Sequence, residues 1–298
     1  MVIKTKEGRN LVRPVLPKKN LSYKLWIIYV IIFLICVGGI AIALSRTQYF
    51  QDENVGRALG IIDKESEKED QYNDLKAEFN TIFTNQVENF QDGSVNVEKI
   101  SDDYDIVVTA YNFKEEKENI TIDVAIPYIN VQHDSARLFN KQISEKYINR
   151  AETLKNQISS MNIIYSVKYK AYIQNNILSL AIRSEYKEGN KSQKISVDTY
   201  NYNLIEKRET TINEILSLKK INVLDATKKI REEIKKVQEQ NQPLINQGYS
   251  FYQRDYNSNE YEVLNCKQFL YGKNQMLYLI YPYGNKGDTS EMDVVIFE

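Results

Sequence analysis

The sequence predicts an α+β protein: an N-terminal transmembrane helix, a stalk helix, and an extracytoplasmic domain of antiparallel sheet with two packed helices. Three observations carry that expectation. Residues 25–44, LWIIYVIIFLICVGGIAIAL, form a twenty-residue run without a charge. Several segments between 104 and 297 alternate apolar and polar residues, the period of a half-buried strand. Three segments repeat apolar residues at three- and four-residue spacing, the period of an amphipathic helix.

Twenty helical residues span roughly 30 Å, the thickness of a bilayer's hydrocarbon core. Thirteen of the twenty are Leu, Ile, Val or Phe. Residues 1–24 carry seven basic side chains against one acid, Glu7, so the positive-inside rule places this basic tail in the cytoplasm and the rest of the chain outside. The expected location is the bacterial cell membrane, with an extracellular C-terminal domain. A cleaved signal peptide is the alternative, since Ala41-Ile42-Ala43 fits an A-x-A cleavage site. Against it, the run exceeds the usual 7–15 residues of a signal peptide's apolar core.

Residues 45–100 read as a juxtamembrane linker followed by an amphipathic helix from Glu65 to Phe90. Leu75, Phe79, Ile82, Phe83, Val87 and Phe90 line one stripe of it. That stripe either docks on the domain or pairs two copies as a homodimer through the 65–90 helix. Residues 101–160 form a small strand-helix unit. Strands are expected at Tyr104–Phe113 and Asn119–Val131, then a helix capped by Asp134 with Phe139, Ile143, Tyr147, Ala151, Leu154 and Ile158 inward. Residues 161–298 form the C-terminal α+β domain. Strands Ile163–Ile173 and Ile177–Lys187 flank Asn175-Asn176, a hairpin turn that suits Asn because Asn tolerates positive φ. A third strand covers Ile195–Asn203, and Thr210–Leu216 makes one or two helical turns. Asn222–Gln240 is a helix capped by Asn222, with Pro243 past its end. Tyr249–Tyr261 reads as a loop with strand character, Glu262–Gly272 and Met276–Tyr283 as a closing hairpin, and Met292–Phe297 as a last strand.

Outside the basic tail the chain holds 32 basic and 39 acidic residues. That balance argues against nucleic acid as a partner, because phosphate binding needs a basic footprint. The two cysteines cannot build a disulfide framework, since Cys36 falls in the apolar run; Cys266 reads as a small buried apolar residue. His133 is the only histidine, so zinc, Ser-His-Asp and Cys-His chemistry lose their usual ligand or base. No glycine-rich nucleotide motif is present, and any pair of Glu residues could be taken for a glycosidase pair. The chain therefore reads as a binding or sensing protein, not an enzyme, with no cofactor and no metal. A structural component of an envelope complex and a cell-wall-modifying enzyme are the alternatives.

Residues 165–216, YSVKYKAYIQNNILSLAIRSEYKEGNKSQKISVDTYNYNLIEKRETTINEIL, resemble the extracytoplasmic domain of the bacterial anti-sigma-V factor, the lysozyme-receptor type. That family includes a module found beside some peptidoglycan deacetylase domains. The terminal Leu-Tyr-Leu-Ile-Tyr-Pro-Tyr at 277–283 belongs to the same pattern, which extends over about residues 104–297. Two segments depart from it. The family's Gly-Gly-Ala-His-Gly turn is replaced by Glu188-Gly189-Asn190-Lys191-Ser192. Its Glu-Ile-Ala-Pro-Tyr-Ala-Ala-Gly ending is replaced by Tyr283-Gly284-Asn285-Lys286-Gly287. The resemblance implies lysozyme or peptidoglycan as ligand. The expected binding surface is the aromatic segment Tyr249, Phe251, Tyr252, Tyr256 and Tyr261, because Tyr, Phe and Arg make up six of the thirteen residues 249–261 and Tyr and Arg are enriched at binding hot spots. The alternative is that these rings complete the core.

Overall fold

The computed structural model describes residues 64–91, 97–157, 161–247, 252–284 and 290–298. The chain divides into two units, 1–70 and 71–298. Of the first unit only residues 64–70 are described, all helical. The second unit is built on one ten-stranded mixed sheet.

Helix α1 covers Lys64–Phe79. It stops eleven residues short of the expected end, because Asn85 takes a positive φ of 59° and residues Gln86–Asn89 extend as strand β1. The apolar spacing of 75–90 is thus satisfied by a helix, a turn and a strand. Phe79 and Phe83 are buried together with Tyr172 and Tyr278, and Tyr72 and Leu75 pack on the same cluster. Of the stripe offered for dimerisation, Phe79 and Phe83 are buried within this chain, while Phe90 is 44% exposed.

Strands β2 (Val107–Lys117) and β3 (Ile120–Ile129) form an antiparallel hairpin whose turn is two residues, not the charged pentapeptide 114–118. Helix α2 (Asp134–Ile143) starts from a cap at His133 rather than Asp134. It continues through a π-helical turn, Ser144–Ile148, into α3 (Asn149–Lys155). Ile143, Tyr147, Ala151 and Leu154 are buried as their spacing requires. Asn140, inside α2, clamps the end of β3: its Oδ1 accepts from Ile129 N–H and its Nδ2 donates to Ile129 O, both at 2.9 Å.

Strands β4 (Ile163–Gln174) and β5 (Ile177–Glu188) meet at Asn175-Asn176, both at positive φ (49° and 62°), the backbone a two-residue hairpin needs. Strand β6 (Lys194–Asn203) and the short β7 (Arg208–Glu209) follow. Helix α4 (Ile212–Leu218) opens with a capping box between Thr211 and Glu214. Helix α5 (Val223–Gln240) is capped by Asn222 and buries Ala226, Ile230 and Ile234. Pro243 falls within a further short helix, α6 (Gln242–Asn246). The segment expected to run as strand before residue 268 is made of two 3-10 turns, Asn259–Tyr261 and Val263–Asn265. Strands β8 (Gln268–Tyr271), β9 (Leu277–Gly284) and β10 (Ser290–Phe297) complete the chain.

The expected fold class needs two corrections. The sheet, ordered β2-β3-β4-β5-β6-β10-β9-β8, is mixed rather than antiparallel: β3 and β1 each pair with β4 in parallel, and β10 meets β6 in parallel. Among the described residues no helix is long and apolar enough to cross a membrane, and the expected span 25–44 lies outside those residues. The α+β character itself stands. Because β3 pairs with β4, one sheet runs through both 101–160 and 161–298.

The sheet carries apolar clusters on both faces. One face of β2–β6 is covered by α2 and α3. Strands β8–β10 are buried on both sides: Leu277, Leu279 and Val295 face α4 and α5, while Tyr278, Ile280 and Ile296 face Phe79 and Phe83. This is why 277–281 reads as a continuous apolar run rather than an alternating one.

The sheet also curls, so that the outer edge of β8 meets the face of β5 and β6. That edge is paired by side chains. Phe269 N–H donates to Thr199 Oγ1 (3.3 Å), and Asn201 Nδ2 donates to Phe269 O (3.0 Å). Tyr271 N–H donates to Ser179 Oγ (2.8 Å), and Gln174 Nε2 donates to Tyr271 O (3.3 Å) and to Gly272 O. Ser179 in turn donates to Asn201 Oδ1. Replacing Asn201 with Ala would strand the Ser179 hydroxyl and the Phe269 carbonyl, both buried. Asn201→Ala should therefore cost about 2–4 kcal/mol, read from urea unfolding; a loss below about 0.5 kcal/mol would mean that the seam is not needed.

The α4 capping box gives a second expectation. Its Glu214 carboxylate is held at about 2 by Arg208 and by the Thr211 backbone and hydroxyl. A depressed carboxylate stabilises the fold above its ordinary pKa and loses that contribution as the pH falls toward 2. Wild type should exceed Glu214→Gln in melting temperature at pH 6, and the two should converge between pH 4.5 and pH 2.

Candidate functional site

The candidate site gathers around β9, where Tyr281 and Tyr283 project on one face two residues apart. The loop 252–258 and the first 3-10 turn lie against them. Tyr252 stacks on Tyr283, centroids 6.2 Å apart and planes 25° apart. The Arg254 guanidinium sits 4.1 Å from the centre of the Tyr283 ring. Tyr261 packs on Tyr281 at 5.5 Å. Tyr283 also donates to Glu291 on β10 (2.8 Å). The result is a row of four tyrosines along one strand.

Arg254 and Asp293 anchor the row from beneath. Their side chains are 1% and 8% exposed and form an ion pair. Opposing effects act on them. Burial drives the Asp293 carboxyl above its ordinary value against the pull of Arg254, whereas the Arg254 guanidinium is held more firmly charged by Asp293. The backbone N–H of Arg254 donates to Gln238 Oε1 at 2.8 Å, which ties the loop to α5.

Beside the row opens a cleft of about 260 Å³. Its interior is buried Tyr261, Cys266 and Tyr281, and its mouth is exposed Glu260, Asn265 and Lys267. Cys266 is buried as its sequence context suggested, and burial pushes its thiol up to about 11. It therefore stays protonated at neutral pH and is a poor nucleophile. The Tyr281 phenol is also pushed up, by burial first and by the neighbouring thiol second, and keeps its proton. Its hydroxyl is closed off from solvent and lies against the Cys266 thiol, a weak partner, with no oxygen or nitrogen partner of ordinary geometry among the described residues.

The five residues named from sequence fall in different places. Tyr252 is 42% exposed, Tyr256 is half-buried against the cluster under α4 and α5, and Tyr261 is 2% exposed within that cluster. Tyr249 and Phe251 lie outside the described residues. Sequence reasoning missed Tyr281, Tyr283, Arg254 and Asp293 as members of the same site. The Tyr-Pro-Tyr at 281–283 was a usable signal, since its two rings must share a face of any strand.

His133 serves as a helix cap. Its Nδ1 lies 3.3 Å from Ser135 N–H and 2.9 Å from Ser135 Oγ, and that hydroxyl is shared with Tyr200 (2.7 Å). A nitrogen occupied by its own cap bond is poorly placed to serve as a general base. No group of three His, Cys, Asp or Glu that could hold a metal occurs among the described residues.

No family model matches the chain, and no curated protein matches it. Its structural neighbours are DUF3298 family proteins. One, from Pseudomonas aeruginosa, is 8% identical, with a TM-score of 0.32, covering 64% of this chain and 84% of that one. Another, from Bacteroides fragilis, is 15% identical, with a TM-score of 0.19, covering 36% of this chain and 62% of that one. Likenesses this distant transfer no function.

The buried ion pair gives a test of how the row is held. Asp293→Ala leaves the Arg254 charge buried without a partner and should cost about 3–5 kcal/mol in unfolding free energy. The double variant Arg254→Met, Asp293→Leu should recover most of that loss in chemical denaturation, because it leaves no orphaned charge.

Proposed function

We propose that this chain is a non-catalytic binding protein that recognises an extracellular or cell-envelope ligand of the lysozyme or cell-wall type. The observation that carries the reading is the tyrosine row itself. Tyr252 keeps its ring exposed while resting on Tyr283 and beside the Tyr283–Arg254 contact. Rigid aromatic rings beside a buried arginine are the residue types that dominate binding energetics, because they present large contact area at little entropic cost. The resemblance of 165–216 and 277–283 to the lysozyme-receptor type points the same way. The buried, protonated Cys266 leaves this face better suited to recognition than to nucleophilic chemistry.

The test is capture. Purified chain is mixed separately with lysozyme and with insoluble peptidoglycan, and the bound fraction is measured against protein concentration. One of the two should be retained, and Tyr252→Ala should weaken retention by roughly tenfold or more, the scale of a hot-spot residue. Its melting temperature should stay within about 2 °C of wild type, since Tyr252 lies at the surface, 42% exposed, and packs in no core cluster. Retention of neither probe, or equal retention by Tyr252→Ala, would remove the reading. Recovery only as part of a membrane complex would favour a structural role instead.

A further inference from the structure

The strands under the tyrosine row repeat one arrangement. In the register of β9 and β10, Asp293 lies directly opposite Tyr281 and Glu291 directly opposite Tyr283. Opposite residues of an antiparallel pair share a face, so each tyrosine has a carboxylate beside it. At the inner step the carboxylate has its cation. Arg254 pairs with Asp293 and lays its guanidinium 4.1 Å from the centre of the Tyr283 ring. At the outer step Glu291 has no cation within ion-pair distance among the described residues. Its Oε2 accepts from the Tyr283 hydroxyl at 2.8 Å, and its Oε1 has no partner among those residues. Glu291 is exposed, as is the Tyr252 ring that stacks on Tyr283. A tyrosine hydroxyl thus holds a solvent-exposed charge beside an exposed aromatic surface.

We propose that Glu291, Tyr283 and Tyr252 form a docking point for an arginine or lysine side chain of a basic protein partner. The proposal deepens the binding reading above and rests on it: it selects a protein ligand over a glycan. The partner's cation takes at the outer step the part that Arg254 takes at the inner one, pairing with the carboxylate and resting against tyrosine rings. A charge-assisted hydrogen bond is stronger than a neutral one, and a cation against an aromatic face gains further. A neutral sugar ring uses the aromatic surface but leaves the carboxylate's charge unanswered, and an anionic ligand meets its like charge. The chain beyond the basic tail, with 32 basic against 39 acidic residues, favours a partner of the same positive sign.

The experiment uses the full chain, with lysozyme as the basic protein probe and insoluble peptidoglycan as the glycan probe. Glu291→Gln removes the charge and keeps an oxygen that accepts from Tyr283. Glu116→Gln, at an exposed position on β2 outside the row, makes the same change in net charge and serves as control. Wild type should retain lysozyme. Glu291→Gln should weaken that retention about fivefold, the upper end for a solvent-facing ion pair, and Glu116→Gln should leave it unchanged. Added salt should weaken wild type more than Glu291→Gln, since the variant has one ion pair fewer to screen. In the absence of probe, Glu291→Gln should melt with wild type. The proposal is overturned if Glu291→Gln retains lysozyme as wild type does, if Glu116→Gln weakens retention equally, or if only peptidoglycan is retained. It is also overturned if Glu291→Gln melts well below wild type, which would make the carboxylate structural. Failure of the docking point is distinguishable from failure of the broader reading. If Tyr252→Ala weakens capture of either probe while Glu291→Gln changes nothing, the binding face stands and the cation site falls; retention of neither probe removes both.

Discussion

The edge of β8 is the constraint on which the rest of the second unit depends. An exposed strand edge presents unpaired backbone groups, and a buried one must have them all satisfied. Here the groups of Phe269 and Tyr271 that face away from β9 are met by Thr199, Asn201, Ser179 and Gln174. The donors and acceptors alternate correctly along the seam, with Ser179 accepting from Tyr271 and donating to Asn201. Each such bond contributes only about 1 kcal/mol net, but leaving one of these buried groups unpaired costs about 1–3 kcal/mol. The seam therefore specifies where β8 sits more than it adds stability, and it does so by penalising every other placement.

Once β8 is placed, β9 and β10 are buried on both faces. Leu277, Leu279 and Val295 pack under α4 and α5, and Tyr278, Ile280 and Ile296 pack against Phe79 and Phe83. The end of β9 emerges from this double burial after Tyr281, at Pro282 and Tyr283, and the tyrosine row runs from the buried Tyr261–Tyr281 pair out to Tyr283 and Tyr252. Its support comes from an ion pair whose members both lost their water. Such a pair adds little to stability against an apolar replacement, yet it punishes the loss of either partner. Arg254 also keeps one buried guanidinium nitrogen, Nε, without a partner among the described residues. The row is thus positioned by groups that tolerate few alternative arrangements.

Much of the local structure was legible in the residues. The period of two located β3, β4, β5 and β6 to within a few residues, and Asn175-Asn176 marked its turn because few side chains accept positive φ. Asn222 marked a helix start because its side chain satisfies orphan backbone N–H groups, whereas the capping box of Thr211 and Glu214 was not read from the sequence. The misses have physical causes. Phe79, Ile82, Phe83, Val87 and Phe90 fit a helical stripe, but Asn85 turns the chain so that β1 can pair with β4. Residues 104–117 gave a correct hairpin with a shifted turn, since charged residues such as Lys114 and Glu116 are tolerated on an edge strand. The site was half legible: Tyr252 and Tyr261 were named, whereas Tyr281, Tyr283 and Asp293 were read only as strand.

The sequence by itself determined the α+β class, the order of most elements, the burial of Cys266 and the inward faces of α3 and α5. These follow from local periods and caps, which need no knowledge of distant partners. Tertiary structure alone decided that β3 and β1 share one edge of β4, that the sheet is mixed, and that β8 lies across β5 and β6. It alone brought Arg254 to Asp293 and Tyr252 to Tyr283. Those pairings join residues tens of positions apart, and nothing in a local pattern distinguishes one compatible strand from another. What distinguishes them is which arrangement leaves the fewest buried polar groups without a partner.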